Sequence, residues 1–309
     1  MKRIYKLDAS LLKQSGCRRL LYLIGVEGWR EPVPNNDTLY GTAVHKFVAT
    51  MYETNGDFAA AVGAAQKVFR KPCNIKPKKQ HLNEKHLLKT CLDFWELFLN
   101  KSDFEHLNNP ATNLPMVEQT FSLKVYEDDE IEIYIEGTID KTGKIKNGCY
   151  AIGDYKTTSS WNPKQYLEPY KVSPQLKMYV WAVKEYGKRH PDSIFAKIAN
   201  TPVGAFIEGI FLKSKDETEF QRSEVFIFKK WEMEEFEDLL RYKVMTLVSL
   251  IKDKNYAIRD GMITGLCTGG AWPCKMLVVC GAQDPIVSNH VLTKNFIQKP
   301  YEALLFGED

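Results

Sequence analysis

The sequence predicts an α/β fold, a mixed central sheet flanked by helices, with a helical insertion near residues 50–110. Three observations point there. Ile131, Ile133 and Ile135 alternate with Glu132, Tyr134 and Glu136, the period of two of a half-buried strand. Ala43, Val44, Phe47, Val48 and Met51 recur at helical spacing, as do Leu87, Leu88, Cys91, Phe94, Trp95 and Phe98. Strand and helix patterns then alternate to the end of the patterned region, as in an α/β chain.

Along the chain, Asn147-Gly148 is a hairpin signal, and Tyr150 to Lys156 reads as the partner of the strand that begins near Glu130. Ser173-Pro174 is a helix start, with serine as the cap and proline at the first helical position. Gln175 to Tyr186 continues that helix. Two further strands are expected at Gly204 to Leu212 and Glu224 to Phe228. A long amphipathic helix follows from about Glu232 to Ile251, burying Leu239, Leu240, Val244, Leu247, Val248 and Ile251. No internal repeat or low-complexity linker interrupts the pattern, so the 309 residues are expected to form one domain.

Composition excludes several classes. At 44% hydrophobic, 26% charged and 12% aromatic residues, the chain is neither disordered, collagen-like nor a coiled coil. No apolar run approaches the ~18 residues of a membrane span. Met1 to Ser10 includes Lys2, Arg3, Lys6 and Asp8 and lacks the apolar region of a signal peptide, so the expected compartment is the cytoplasm, or a host's cytoplasm if the chain is viral. Seven cysteines, an odd number, do not read as a secreted disulfide framework; they are free thiols or metal ligands. The net charge of +3 is uninformative as a total, but Lys67 to Lys89 holds eight basic residues against the single acidic Glu84. Pro72 and Pro77 make part of this stretch a loop. It is a solvated connector, or a phosphate-contacting surface if the chemistry is on nucleic acid.

Asp154 and Lys156 stand two apart on a predicted strand and therefore project from one face. A carboxylate and an ammonium side by side can hold a hard cation next to an anionic oxygen, as metal-assisted phosphodiester hydrolysis requires. The same pair alone also describes an ordinary surface ion pair. Turn geometry bears on which it is. A two-residue turn at Asn147-Gly148 would put Asp140 and Asp154 on opposite faces. A three-residue turn, Lys146 to Gly148 with glycine left-handed, pairs Ile145 with Cys149 and sets Asp140 directly across from Asp154.

Gly41-Thr42-Ala43-Val44-His45, Gly137-x-x-Asp140, Asp154-Tyr155-Lys156 and Gln175-x-x-x-Tyr179 occur in the order of the RecB-like branch of the PD-(D/E)xK nucleases, which the chain resembles from roughly Asp8 to Cys280. The resemblance implies a restriction-endonuclease-like core. It implies that His45, Asp140, Asp154 and the backbone carbonyl of Tyr155 hold Mg²⁺ or Mn²⁺, and that Lys156 is the catalytic lysine. Glu118, in Val117-Glu118-Gln119, matches an acidic residue that several relatives carry on the strand before the hairpin and could help hold metal. Gln175 and Tyr179 are placed near the lysine and the DNA backbone. Lys76, Lys78 and Lys79 become candidates for phosphate contact, and Trp29, Tyr40, Trp161 and Tyr166 for stacking on unpaired bases.

Cys274 and Cys280 enclose five residues, Cys267 and Cys274 enclose six, and Cys17 lies 250 positions before Cys267. Thiolates in a reducing compartment select Zn²⁺ or an iron–sulfur cluster. Many RecB-like nucleases, of the AddB and CRISPR-adaptation types, hold a 4Fe–4S cluster by one cysteine before the core and three after it. Residues 15–20 and 265–281 resemble the two halves of that staple, with zinc as the other occupant. The familiar second half has two residues between its first two cysteines, so Cys267 departs from the pattern. Cys73, Cys91 and Cys149 are expected to be core or surface thiols.

No Gly-x-x-x-x-Gly-Lys-[Ser/Thr] loop is present, so any helicase or recombination partner is a separate protein. The resemblance implies a DNA exonuclease acting on ends or single strands in recombination, repair or phage DNA processing. A CRISPR-adaptation nuclease trimming prespacers is the second enzyme reading. A non-catalytic DNA-binding module is the third, although it would be expected to have lost an acidic ligand or the lysine, and all are present.

Overall fold

The structure, a computed structural model, describes residues 2–75, 80–99, 104–146, 148–213, 217–253, 258–265, 267, 274–282 and 284–299. The first elements are β1 (Arg3–Leu7), α1 (Ala9–Gln14), α2 (Arg18–Leu21) and β2 (Trp29–Arg30). Three helices follow, α3 (Asn36–Glu53), α4 (Phe58–Phe69) and α5 (Glu84–Leu99), then strands β3 (Phe104–His106), β4 (Val117–Glu127), β5 (Ile131–Ile145) and β6 (Tyr150–Thr158). Next come α6 (Pro163–Leu167), α7 (Pro174–Arg189), α8 (Ala196–Ala199), β7 (Val203–Leu212), β8 (Thr218–Arg222) and β9 (Phe226–Ile227). The last are α9 (Lys230–Asp253), α10 (Leu277–Cys280), α11 (Pro285–Asn295) and β10 (Ile297–Gln298).

Two compact units are distinguished. The larger comprises Val33–Phe121 and Thr138–Met233. Its sheet is mixed: β6 runs antiparallel to the second half of β5, parallel to β7, and β7 runs antiparallel to β8 and β9. Helices start where the sequence offers caps. Asn35 accepts from the Thr38 amide at 3.0 Å, Asp57 from that of Ala60 at 2.9 Å, and Ser173 from that of Gln175 at 3.3 Å. Helices α3, α4 and α5 bury Tyr40, Val44, Phe47, Met51, Leu87 and Phe94 together against Tyr155 of β6 and Ile210 and Leu212 of β7. Helix α7 packs on β7 and buries Leu176, Met178, Val180 and Val183.

The smaller unit comprises Met1–Pro32, Ser122–Gly137 and Glu234–Asp309. In it β1 lies parallel to the first five residues of β5, Arg3 opposite Ile131 and Leu7 opposite Ile135. The predicted alternation is visible there, with Ile131, Ile133 and Ile135 fully buried. Lys6 pairs with Glu136, both buried, and Arg18 makes a two-pronged ion pair with Asp260 at 2.8 and 3.0 Å.

The hairpin takes the three-residue form. The Ile145 amide donates to the Cys149 carbonyl at 3.0 Å, the Gly148 amide to the Ile145 carbonyl at 2.8 Å, and Gly148 has φ +80°. Lys141 is consequently opposite Gly153. Two strand expectations need correction. Strand β8 was not anticipated, because Thr-Glu-Phe-Gln-Arg has one apolar side chain, so the alternation of half-buried and exposed positions it adopts does not show in residue type. The strand expected at Glu224 to Phe228 shrinks to the two residues of β9.

Candidate metal centre

Three elements of the larger unit converge on one acidic site. His45 comes from the middle of α3, Glu118 from β4 and Asp140 from β5. Their ligand atoms lie within 4.8 Å of one another. His45 Nδ1 is 3.4 Å from Asp140 Oδ2 and 3.9 Å from Glu118 Oε1. Glu118 sits at φ +48°, a left-handed conformation that a residue with a β-carbon adopts at a cost of ~1–2 kcal/mol. Such strain gathers where a side chain must be aimed rather than packed. A neutral imidazole and two carboxylates suit a divalent cation such as Mg²⁺ or Mn²⁺.

Asp154 does not join this three-residue group; its partners are different. One oxygen accepts from Gln175 Nε2 at 2.9 Å and the other is 2.5 Å from Lys156 Nζ. Asp140 and Asp154 are nevertheless linked: the Tyr155 amide donates to Asp140 Oδ2 at 2.6 Å, so the backbone next to Asp154 holds Asp140. The predicted sharing of one face by Asp154 and Lys156 holds, while Tyr155 between them turns into the apolar cluster below α3.

Charge is distributed unequally among these groups. Burial pushes the Asp154 carboxyl up, the neighbouring Asp140 charge adds to this, and Lys156 and His45 only partly oppose it, leaving it at about 6. Burial also pushes Asp140 up, but His45, Lys156 and the Tyr155 amide outweigh it and hold the carboxyl below its ordinary value. His45 goes the other way: burial lowers it, but Asp140 and Glu118 raise it further, to about 10. Lys156 is raised as well, its two aspartates outweighing burial. Without a cation, the carboxylates therefore recruit protons, and a bound divalent ion would take over that role from the His45 proton.

Gln175 and Tyr179 lie one turn apart on α7, as their spacing implied. Gln175 Nε2 donates to Tyr179 Oη at 2.8 Å as well as to Asp154, and Tyr179 is 5% exposed with its ring edge-on to Phe121. Tyr179 is thus turned inward, behind Gln175, and the pair faces Asp154 rather than an open surface. Tyr40 is fully buried, its hydroxyl held by His86 Nδ1 at 2.8 Å and Thr90 at 2.7 Å, so it offers no face to a base. Trp29 is half-buried and donates to Glu27 at 2.8 Å, while Trp161 is 71% exposed. Lys76, Lys78 and Lys79 lie outside the described residues. Within the same basic stretch, Arg70 pairs with Glu84 at 2.6 Å and Lys89 pairs with Asp93.

In the smaller unit, Cys17 caps α2 and Cys280 ends α10. A β-carbon added to Gly261 would lie 3.1 Å from Cys267 Sγ and 3.4 Å from Cys17 Sγ. The Cys274 amide donates to the Cys267 carbonyl at 3.2 Å, and Arg259 donates to the Cys280 carbonyl at 2.6 Å. Among the described residues these cysteines form no group as compact as that of His45, Glu118 and Asp140. Glycines 269 and 270 lie outside the described residues. Of the other thiols, Cys91 is in the core, as its helical position implied.

One charged network beneath the site was not anticipated. Lys141, next to Asp140, is 1% exposed and reaches Glu208 at 2.5 Å, which also accepts from Arg222 at 2.6 and 3.0 Å. The rings of Tyr155, Phe104 and Phe206 surround the Lys141 ammonium, with centroids 4.7, 4.8 and 5.1 Å away. Gly153 leaves the room for it: a β-carbon there would come within 2.4 Å of Lys141 Cε. The one signal in the sequence was Glu208 itself, a charge inside the apolar run Val203–Leu212.

A profile of the PD-(D/E)XK nuclease superfamily matches residues 13–281. Among solved structures, one titled "Crystal structure of SSO0001" aligns over 75% of this chain and 84% of that chain at 14% identity and a TM-score of 0.26, a score that does not define a shared fold. No curated protein matches.

Proposed function

Because the chain belongs to the PD-(D/E)XK nuclease superfamily, a group of metal-dependent nucleases, we propose that it is a DNA exonuclease of the RecB-like branch, acting on ends or single strands in recombination, repair or phage DNA processing. The observation that carries this reading is the three-ligand group of His45, Glu118 and Asp140 beside the Asp154–Lys156 pair. His45, Glu118, Asp140, Asp154 and the Tyr155 carbonyl would hold Mg²⁺ or Mn²⁺. When bound, such an ion supplies Lewis-acid stabilisation of the charge that develops on the scissile phosphate.

The protein's own groups do the rest. Lys156, 2.5 Å from Asp154, would orient or activate the attacking water or contact a phosphate oxygen. Gln175 fixes one oxygen of Asp154, which leaves the other to Lys156. The Tyr155 amide fixes Asp140. Backbone contacts by Lys76, Lys78 and Lys79 would add affinity that is independent of sequence and sensitive to salt.

The cysteine site belongs to the same proposal. Cys17, Cys267, Cys274 and Cys280 would hold a 4Fe–4S cluster that staples residues 15–20 to 265–281, and the role is structural. The space left by Gly261 between Cys17 and Cys267 supports it. A single tetrahedral Zn²⁺ held by the same thiolates is the alternative occupant, and metal analysis of the purified protein distinguishes the two. We further propose that the whole chain is one nuclease domain with a helical insertion near 50–110, that it works in the cytoplasm, and that any motor is a separate protein.

The test is cleavage of end-labelled single-stranded, duplex and circular DNA with Mg²⁺ or Mn²⁺. Release of short products from linear but not circular substrates is expected, and Lys156→Ala should abolish it while retaining DNA binding. Cleavage of circles would overturn the exonuclease reading, and full activity in Lys156→Ala would overturn the mechanism.

A further inference from the structure

The strand that carries Lys156 ends at Thr158, and three residues later the chain presents Trp161, 71% exposed. Its backbone is pinned at the carbonyl and at the residue that follows. Lys213 Nζ donates to the Trp161 carbonyl at 3.0 Å and is itself held by Glu219 at 3.0 Å. The next residue, Asn162, caps α6 by accepting from the Gln165 amide at 3.1 Å. An indole on a fixed backbone, with its ring left in solvent, has lost entropy without gaining burial. That arrangement suits a surface meant to be covered.

The neighbourhood indicates by what. Lys213 Nζ lies 5.8 Å from the Trp161 ring centroid, and Lys164 is exposed on α6. The same arm carries two tyrosines back toward the sheet: Tyr170 donates to Tyr166 at 3.1 Å, and the Tyr166 ring lies edge-on to Phe211, the residue opposite Thr158 at the end of the Lys156 strand. The exposed ring therefore stands just past the end of the strand that carries Asp154 and Lys156, with the exposed Lys164 three residues on in α6 to meet a phosphate chain. Paired bases in a duplex have both faces covered by their neighbours. A base free to leave the stack offers a π-face.

We propose that Trp161 is a specificity-determining residue whose indole stacks on an unpaired base of the strand being cut, selecting single strands and frayed ends over closed duplex; this rests on the nuclease reading above. Binding is measured by anisotropy of labelled DNA with the non-cleaving Lys156→Ala chain, with and without Trp161→Ala or Trp161→Phe. Trp161→Ala should weaken single-strand binding about ten-fold or more and leave duplex binding unchanged, and Trp161→Phe should restore most of the loss. An abasic site stepped along the oligonucleotide should cost affinity at one position with Trp161 present and at none in Trp161→Ala. Equal weakening on both DNA forms, or no weakening, overturns the stacking role. If the ring serves a protein partner, no weakening is the outcome. The two readings fail separately: Trp161→Ala chains with Lys156 intact that cut single strands like the parent overturn stacking alone, whereas a parent that neither cuts nor binds DNA overturns both.

Discussion

Glu208→Ala removes the carboxylate that neutralises a lysine with 1% exposure, leaving the Lys141 ammonium among aromatic rings. Breaking a buried ion pair from one side costs ~3–5 kcal/mol, because the remaining charge is stranded. The titration of Glu208 leads to a similar figure. Burial alone would raise its carboxyl, but Lys141 and Arg222 outweigh that and hold it at about 2, against an ordinary 4.5. At 1.36 kcal/mol for each tenfold, this amounts to about 3 kcal/mol. Since the folded-state value is depressed, that stability is fully present above pH ~4.5 and is lost as the pH falls toward ~2. Urea unfolding of the parent and the variant should therefore differ by about 3 kcal/mol or more at pH 7, and the gap should narrow steadily between pH 5 and pH 3. Lys141→Met in the same chain should recover part of the loss, because it removes the stranded charge. A loss below about 1 kcal/mol at pH 7, or a gap that does not change with pH, would refute the account of the network.

Other consequences are testable on the same protein. Gln175→Ala frees the Asp154 oxygen held at 2.9 Å and should lower kcat about 10- to 100-fold with little change in thermal midpoint, as loss of a positioning hydrogen bond does at metal sites. Gly153→Ala forces a methyl to within 2.4 Å of Lys141 Cε and 2.8 Å of Phe206 Cζ, so it should destabilise by ~1–3 kcal/mol in urea unfolding. Asp260→Ala removes the two-pronged partner of Arg18, a pair that is partly exposed, and should cost ~0.5–1 kcal/mol in urea unfolding.

What the sequence made legible follows from local rules. The alternation at Ile131–Ile135 and the Ser173-Pro174 start each depend on neighbours a few residues apart. The turn at Asn147-Gly148 left two registers open, and the structure takes the three-residue one, which pairs Lys141 with Gly153. The group formed by His45, Glu118 and Asp140 depends instead on three elements meeting in space. Motif order pointed to His45 and Asp140, and the resemblance to Glu118 as well, but nothing in Val117-Glu118-Gln119 announces a left-handed residue inside a strand. The Lys141–Glu208–Arg222 network was hidden for a different reason: charged side chains are ordinarily solvated, and only a pairing across three strands makes these three exceptions. Tyr40 and Tyr179 show the limit from the other side, since aromatic residues near a motif look alike in sequence whether they face DNA or the core.

The backbone at Glu118 also has a consequence for how this protein can change. Glycine tolerates φ +48° without penalty and asparagine nearly so, so either substitution would relieve the local strain and raise folding stability. Each would also delete a carboxylate from the acidic site. A library screened only for melting temperature would drift toward glycine or asparagine at position 118 and lose cation affinity as it improved. Glutamate persists there only under selection that rewards the occupied site, so retention or loss of residue 118 in a stabilised lineage would report whether metal binding had been under selection at all.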